Sequence, residues 1–122
     1  MNIIISNKSS KPIYEQIKNQ IKDLIISGDL KEGEGLPGMR SLASDLKVSL
    51  ITTKRAYKDL ENEGFIYTVP AKGSYVASLN KDFLYEDRIK KIEEKIDEAI
   101  KISKSIKLSK DDLIEILENL YT

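Results

Sequence analysis

Four basic side chains are concentrated in the middle of this 122-residue chain, at Lys47, Lys54, Arg55 and Lys58. No acidic residue lies between positions 47 and 58, and the first one after them is Asp59. Lys and Arg neutralise phosphate groups and release bound counterions, which is a large source of a protein's affinity for nucleic acid. The ordinary alternative is a solvated basic face on a helix. The choice between the two depends on the elements that carry these cations.

A capped helix is predicted to present most of the cations. Ser49 is a good N-cap, because its hydroxyl can accept a hydrogen bond from an amide in the next turn. Gly64 suits the left-handed residue that follows a helix, so the helix is expected from Leu50 to Glu63. The cations from Lys54 onward would then lie on its outer face. Its inner stripe consists of Thr53, Ala56, Tyr57 and Leu60.

A shorter helix is predicted just before it. Pro37 has a fixed φ and no N–H, which suits the first turn of a helix, and this helix is expected to end near Leu46. Its apolar face recurs at helical spacing in Met39, Leu42, Ala43 and Leu46. A turn of about three or four residues joins the two helices, as in helix-turn-helix motifs. The second helix of such a motif fits the major groove of DNA.

Two segments after this motif are rich in aromatic and β-branched residues, as strands are. They are residues 65–68 and residues 74–77, and residues 69–73 are expected to form the hairpin between them. Lys72 near its tip can reach a phosphate, and Gly73 lets the backbone approach a partner closely. An ordinary hairpin, in which the glycine only makes the turn, is the alternative.

The N-terminal part of the chain is predicted to be mostly helical. Residues 2–5 are expected to form a short strand, and Tyr14 is expected to pack at the domain junction. A helix opens near Pro12, and its apolar stripe is Ile13, Ile17, Ile21, Leu24 and Ile25. Residues 33–38 spell G-x-G-x-x-G, but a helix precedes them and a proline lies inside them. They therefore predict a turn and not a dinucleotide-binding loop.

A long helix with one apolar seam is predicted after residue 82. Its seam residues alternate in spacing between four and three, an a/d register, and they are Tyr85, Ile89, Ile92, Ile96, Ala99, Ser103 and Ile106. Ser109 is the predicted N-cap of a last helix, whose apolar residues are Leu113, Ile114, Leu117, Leu120 and Tyr121. We expect an antiparallel two-helix hairpin that pairs with a second copy of the chain. A hairpin folded back onto its own winged domain is the alternative.

The composition restricts the function further. The chain has no His and no Cys, which excludes imidazole bases, thiol nucleophiles and Cys/His metal sites, so we expect no enzymatic activity, cofactor or metal. No apolar run approaches the length of a membrane span and the N-terminus lacks the basic region of a signal peptide, so a cytoplasmic protein is expected. The net charge is 0, but residues 1–79 carry 11 basic and 9 acidic residues, a net of +2.

Several motifs resemble the winged helix-turn-helix of the GntR family of bacterial transcription regulators. They are Gly28-x-Leu30 with Gly33, Leu36-Pro37-x-x-Arg40-x-Leu42-Ala43, Val48-Ser49, Thr52, Arg55-Ala56-Tyr57, Leu60, Gly64 and Gly73-x-Tyr75-Val76. The resemblance spans about residues 12 to 77. The segment Pro12-Ile13-Tyr14-Glu15-Gln16-Ile17 and the short tail are similar to the small YtrA-type subfamily.

The resemblance implies a mainly α fold with a small β wing and a homodimeric regulator, in the first instance a repressor, of a near-palindromic operator in double-stranded DNA. Residues 1–79 would form the winged helix-turn-helix domain and residues 80–122 the helical dimerisation tail. It also implies that Arg40 contacts DNA, the alternative being a surface cation. The full set of expected DNA contacts is Arg40, Ser49, Leu50, Ile51, Thr52, Lys54, Arg55, Lys58, Lys72 and Gly73. The expected dimer contacts are Tyr85, Ile89, Ile92, Ile96, Ala99, Leu113, Leu117 and Leu120.

Some alternatives stay open at this stage. Arg55 could form a salt bridge with Asp59 one turn later. Leu50 and Ile51 stand where the family usually has polar residues, so apolar contact with a thymine methyl is one option for them. The competing function is a protein-interaction module on a winged-helix scaffold that does not bind DNA specifically. Only 43 residues follow Leu79, too few for the large effector domain of many relatives, and no effector is identified.

Overall fold

The computed structural model describes residues 1–122, which divide into two compact units, Met1–Asn80 and Lys81–Thr122. The fold is mainly helical with a small two-stranded wing, as the sequence predicts. The first unit contains α1 (Ile13–Ser27), α2 (Met39–Leu46), α3 (Leu50–Asn62), β1 (Ile66–Val69) and β2 (Gly73–Val76), and the second contains α4 (Lys81–Ser105) and α5 (Lys110–Leu120).

Helix α3 lies at the centre of the first unit and packs against α1, α2 and β1. Its predicted inner stripe is confirmed, because Thr53, Ala56, Tyr57 and Leu60 are all buried. Helix α1 contributes Ile17, Ile21 and Ile25 to the same core. The first residue of the wing, Ile66, and the residue before it, Phe65, are also fully enclosed. The core of this small unit is therefore built around one face of α3.

The corner between α2 and α3 has the predicted short turn, but α2 begins later than expected. Gly38 is its N-cap, so Pro37 lies before the helix and not in its first turn. The Tyr57 hydroxyl donates to the Pro37 carbonyl at 2.7 Å and so ties this segment to α3. Burial raises the pKa of the Tyr57 phenol, which therefore stays protonated as a donor. Lys47 makes the corner in the left-handed conformation, at φ 57°.

The wing is an antiparallel pair in which Ile66 faces Val76 and Val69 faces Gly73. Both strands are shifted by one residue from the predicted ranges. The glycine-rich segment was predicted as a turn, but it also extends the wing. The Gly33 amide donates to the Val76 carbonyl at 2.8 Å, and the Leu36 amide donates to the Ser74 carbonyl at 2.9 Å. This segment therefore lies along the free edge of β2.

The predicted strand at residues 2–5 does not form. This segment is instead held by side-chain amides of α1. The Ile4 amide donates to Gln20 Oε1 at 2.9 Å, and Gln20 Nε2 donates back to the Ile4 carbonyl at 2.7 Å. Gln16 forms the same pair of bonds with Ser6. The prediction was wrong because glutamine side chains, and not another strand, satisfy these backbone groups.

An ion cluster joins the middle of α1 to the C-terminal end of α3. The Glu63 carboxylate accepts from Lys18 at 3.2 Å and from Lys22 at 3.1 Å. The Lys22 ammonium also lies 4.8 Å from the centre of the Phe65 ring. These contacts are half-buried, so they are screened less by salt than contacts between fully exposed charges.

The second unit consists of α4 and α5 joined by a short turn. Helix α4 ends at Ser105, so the predicted seam residue Ile106 lies outside the helix and is exposed. The turn is closed by the Leu108 amide, which donates to the Ser103 carbonyl at 2.8 Å. Ser109 caps α5 as predicted, because its hydroxyl accepts from the Asp112 amide. None of the five helices has both the length and the apolarity of a membrane span.

We predict that Tyr57→Phe lowers the free energy of unfolding by about 1–2 kcal/mol, because it leaves the Pro37 carbonyl without its hydrogen bond. Urea denaturation followed by circular dichroism measures this change. Tyr67→Phe is the matched control, since Tyr67 lies on the exposed face of the wing. Equal denaturation midpoints for the two variants would contradict the prediction.

Candidate nucleic-acid interface

The outer face of α3 is a continuous exposed surface that begins at its first turn. Lys54, Arg55 and Lys58 are all exposed, as predicted, and Ile51 lies one turn before them on the same face. Because the opposite stripe of α3 is fully buried, the helix cannot rotate to hide these side chains. The fold therefore fixes the face of α3 from which the three cations project into solvent.

The first turn of α3 has free amide donors. Ser49 Oγ accepts from the Thr52 amide at 3.0 Å and donates its own hydrogen to Thr52 Oγ1 at 2.8 Å. The Ser49 carbonyl accepts from the Thr53 amide at 3.2 Å. The amides of Leu50 and Ile51 therefore remain available, and the helix dipole adds positive potential there. A phosphate oxygen suits such a position.

Arg55 has a partner that the sequence did not indicate. Its guanidinium carbon lies 3.8 Å from the centre of the Tyr14 ring, in a cation–π contact between α3 and α1. This contact replaces the salt bridge with Asp59 that was left open as an alternative. Stacking engages the flat face of the guanidinium, so its N–H edge can still donate. Tyr14 was expected to pack at the domain junction, and no local spacing pairs it with Arg55.

The two apolar residues in the first turn of α3 differ sharply in environment. Leu50 is half-buried, whereas the side chain of Ile51 is 81% exposed. The sequence could not separate them, because both are aliphatic and adjacent. The structure makes Leu50 partly a packing residue and leaves Ile51 on the surface.

The remaining predicted contacts lie on other elements of the first unit. Arg40 is the second residue of α2 and is exposed. Lys72 and Gly73 are exposed at the end of the wing, where Gly73 has φ 125° and Ala71 also has a positive φ, 65°. The Lys72 amide donates to the Val69 carbonyl at 3.0 Å and closes this tight turn. No group of acidic side chains is arranged to hold a metal ion.

The second unit carries an open apolar groove of about 590 Å³. Five of the eight predicted dimer residues line it, namely Ile96, Ala99, Leu113, Leu117 and Leu120, and Ile100 and Leu108 join them. The other three predicted residues, Tyr85, Ile89 and Ile92, lie on the N-terminal half of α4 and outside the groove. Ser103, a predicted seam residue, is buried and donates to the Ile100 carbonyl at 2.7 Å.

These features define a class of protein. A helix-turn-helix corner, a short wing and a fixed, cation-bearing second helix form the winged helix-turn-helix of a DNA-binding protein. The model of the bacterial regulatory proteins of the gntR family matches residues 13–76, more than half of the chain. The chain therefore belongs to the GntR family, as its sequence motifs indicate.

Individual relatives agree with this assignment. The chain is 40% identical over 98 residues to the HTH-type transcriptional repressor YtrA of Bacillus subtilis, covering 80% of this chain and 75% of the relative. A GntR family transcriptional regulator from Listeria monocytogenes has a similar structure, with a TM-score of 0.75, 29% identity and coverage of 93% of this chain and 98% of that one.

A third similarity is to a structure that contains DNA. AraR(DBD) in complex with operator ORX1 has a TM-score of 0.56 and 28% identity, covering 63% of this chain and 96% of that one. Together these similarities identify the protein as a DNA-binding transcription regulator.

We predict that Tyr14→Leu weakens DNA binding by about two- to fivefold, because an exposed cation–π contact of this kind contributes about 0.5–1 kcal/mol to holding the guanidinium. Tyr14→Phe is the control, since it retains the ring and should bind like the parent. Fluorescence anisotropy with labelled duplex DNA measures both. Equal losses in the two variants would show that the ring does not position Arg55.

Proposed function

We propose that this protein is a homodimeric repressor that binds a near-palindromic operator, with one α3 in each of two successive major grooves. The observation that carries the proposal is the fixed exposure of Lys54, Arg55 and Lys58 on the helix whose other face is the core. Because a bacterial chromosome lies in the cytoplasm, the protein would act there. The proposed function involves no catalysis.

Each predicted contact has a proposed role. Lys54 is the first choice for contact with a base or a phosphate, and Lys58 would neutralise a phosphate further along α3. The free amides of the α3 first turn would hold another phosphate, oriented by the Ser49 cap. Arg40 would contact the backbone from α2. Lys72 and the close approach at Gly73 would place the wing beside the minor groove.

The second unit is proposed as the dimerisation module. The groove is lined mainly by aliphatic side chains, and the removal of such a surface from water is favourable, so an exposed apolar patch of this kind marks an interaction site. Exposed apolar residues on the N-terminal half of α4, Phe83, Tyr85 and Ile92, add to the apolar surface of this unit. A second copy of the same unit offers a matching apolar surface, as a two-fold dimer requires. Residues 1–79 would then bind DNA and residues 80–122 would hold the two copies together.

The repressor role is supported by the relatives and not by the geometry. YtrA of Bacillus subtilis is named a transcriptional repressor, and the similarity covers 75% of its length. A repressor of this design needs only to occupy its operator, so dimerisation and DNA binding suffice for function. Operator binding can be tested by a gel-shift titration of the protein against the promoter DNA upstream of its own gene. A scrambled duplex is the control, and the titration is repeated at two salt concentrations.

We predict that Lys54→Ala and Arg40→Ala each weaken operator binding tenfold or more, which corresponds to about 1–3 kcal/mol, with folding intact. Loss of a phosphate contact should also lower the slope of log affinity against log salt by about 1. Lys90→Ala is the matched control, because Lys90 is an exposed lysine of α4. Unchanged operator affinity in both test variants would contradict the assignment of the DNA-binding face.

We predict that Leu117→Glu converts the dimer to a monomer at micromolar concentration, because it places a carboxylate in the apolar groove. Sedimentation velocity measures the change. Asn119→Glu adds the same charge to α5 at an exposed position outside the groove, and it should remain dimeric. A monomeric parent protein, or a dimeric Leu117→Glu variant, would contradict the proposed dimer surface.

A further inference from the structure

Ile51 is the most exposed large apolar side chain of the first unit, at 81% of its full exposure. It lies three, four and seven residues before Lys54, Arg55 and Lys58, and those spacings place all four side chains on one face of a helix. The face is therefore aliphatic at its N-terminal end and cationic from Lys54 to Lys58.

The position of Ile51 fixes what it can meet when the cations bind DNA. In a helix-turn-helix, the N-terminal residues of the second helix contact the base edges, while cations further along engage the phosphates. The edges of the bases in the major groove carry hydrogen-bonding groups and one apolar group, the C5 methyl of thymine. The thymine methyl is therefore the group that an aliphatic side chain at this position can contact favourably.

The neighbours of Ile51 are less suited to read a base. Leu50 is half-buried against the protein, and Thr52 is held by its hydrogen bonds with the Ser49 cap. Ile51 is also β-branched, so a helix restricts it mostly to one χ1 rotamer. It would lose little side-chain entropy on contact, which favours a specific interaction over a loose one.

We propose that Ile51 is a specificity-determining residue that selects a thymine in each half-site of the operator by contact with its C5 methyl group. This inference rests on the proposed binding of an operator by α3. In this proposal, the preference for thymine at that base pair comes from an apolar contact. The preference therefore depends on one methyl group and not on a hydrogen bond.

The size of the effect follows from the burial of one methyl-sized group. Removal of the methyl should weaken binding about fourfold in one half-site and about 15-fold when both half-sites are changed. Deoxyuridine is the sharpest probe, because it differs from thymidine only in this methyl and pairs identically with adenine. The effect should vanish when Ile51 is shortened, since the methyl then has no partner.

The experiment combines an operator scan with side-chain variants of the full-length protein. An operator is first selected with the parent protein from a library of random duplexes, and each thymine of that operator is then replaced by deoxyuridine in turn. Affinities are measured by fluorescence anisotropy for the parent, for Ile51→Ala and for Ile4→Ala. Ile4 is the matched control, because it is 71% exposed and lies outside α3.

The result expected is a fourfold loss at one thymine per half-site for the parent and for Ile4→Ala, and no loss at that thymine for Ile51→Ala. Equal sensitivity to deoxyuridine in all three proteins, or no sensitivity in the parent, would overturn the role of Ile51 while leaving operator binding intact. Failure to select any duplex would overturn the proposed function and this inference with it. The melting temperature of Ile51→Ala is measured as a control, and a value equal to that of the parent protein would show that the fold is unchanged.

Discussion

The burial of one stripe of α3 fixes the rotation of this helix about its axis, and therefore determines which of its side chains project into solvent. Ala56 and Leu60 have no exposed surface and Tyr57 has almost none, so rotation of α3 would expose core residues at a cost of several kcal/mol. The hydrogen bond from Tyr57 to Pro37 and the contact between Arg55 and Tyr14 add polar restraints on two sides. The helix that carries the cations therefore needs no rearrangement before it meets DNA, and the Arg55 guanidinium is already held by Tyr14, which reduces the entropy lost on binding.

Most of the first unit could be predicted because its signals are local. The Ser49 cap, the apolar stripe of α3 and the glycine after it all act within a few residues, and each was confirmed by the structure. The features that were missed depend on contacts between distant residues. The segment from Gly33 to Leu36 joins the wing only because it meets β2, and no periodicity of its own predicts that pairing.

The candidate site shows the same division. That Lys54 and Lys58 lie on the outer face followed from helical periodicity alone, but the partner of Arg55 lies on another helix, 41 positions away in the sequence. In the second unit, the heptad spacing continued through Ile106, although α4 ends at Ser105. The turn is closed there by hydrogen bonds to the buried Ser103, and a pattern of apolar residues does not contain that information.

Two lysines occupy the left-handed conformation that glycine adopts without strain, Lys47 after α2 and Lys107 after α4, both at φ 57°. A side chain in this conformation costs roughly 1 kcal/mol, so the chain accepts a less stable turn at each site. At Lys47 the side chain adds a charge beside the proposed DNA-binding helix, whereas Lys107 lies in the second unit. A glycine at position 107 is thus a route to a more heat-resistant protein that leaves operator affinity unchanged, while the same change at position 47 exchanges affinity for stability.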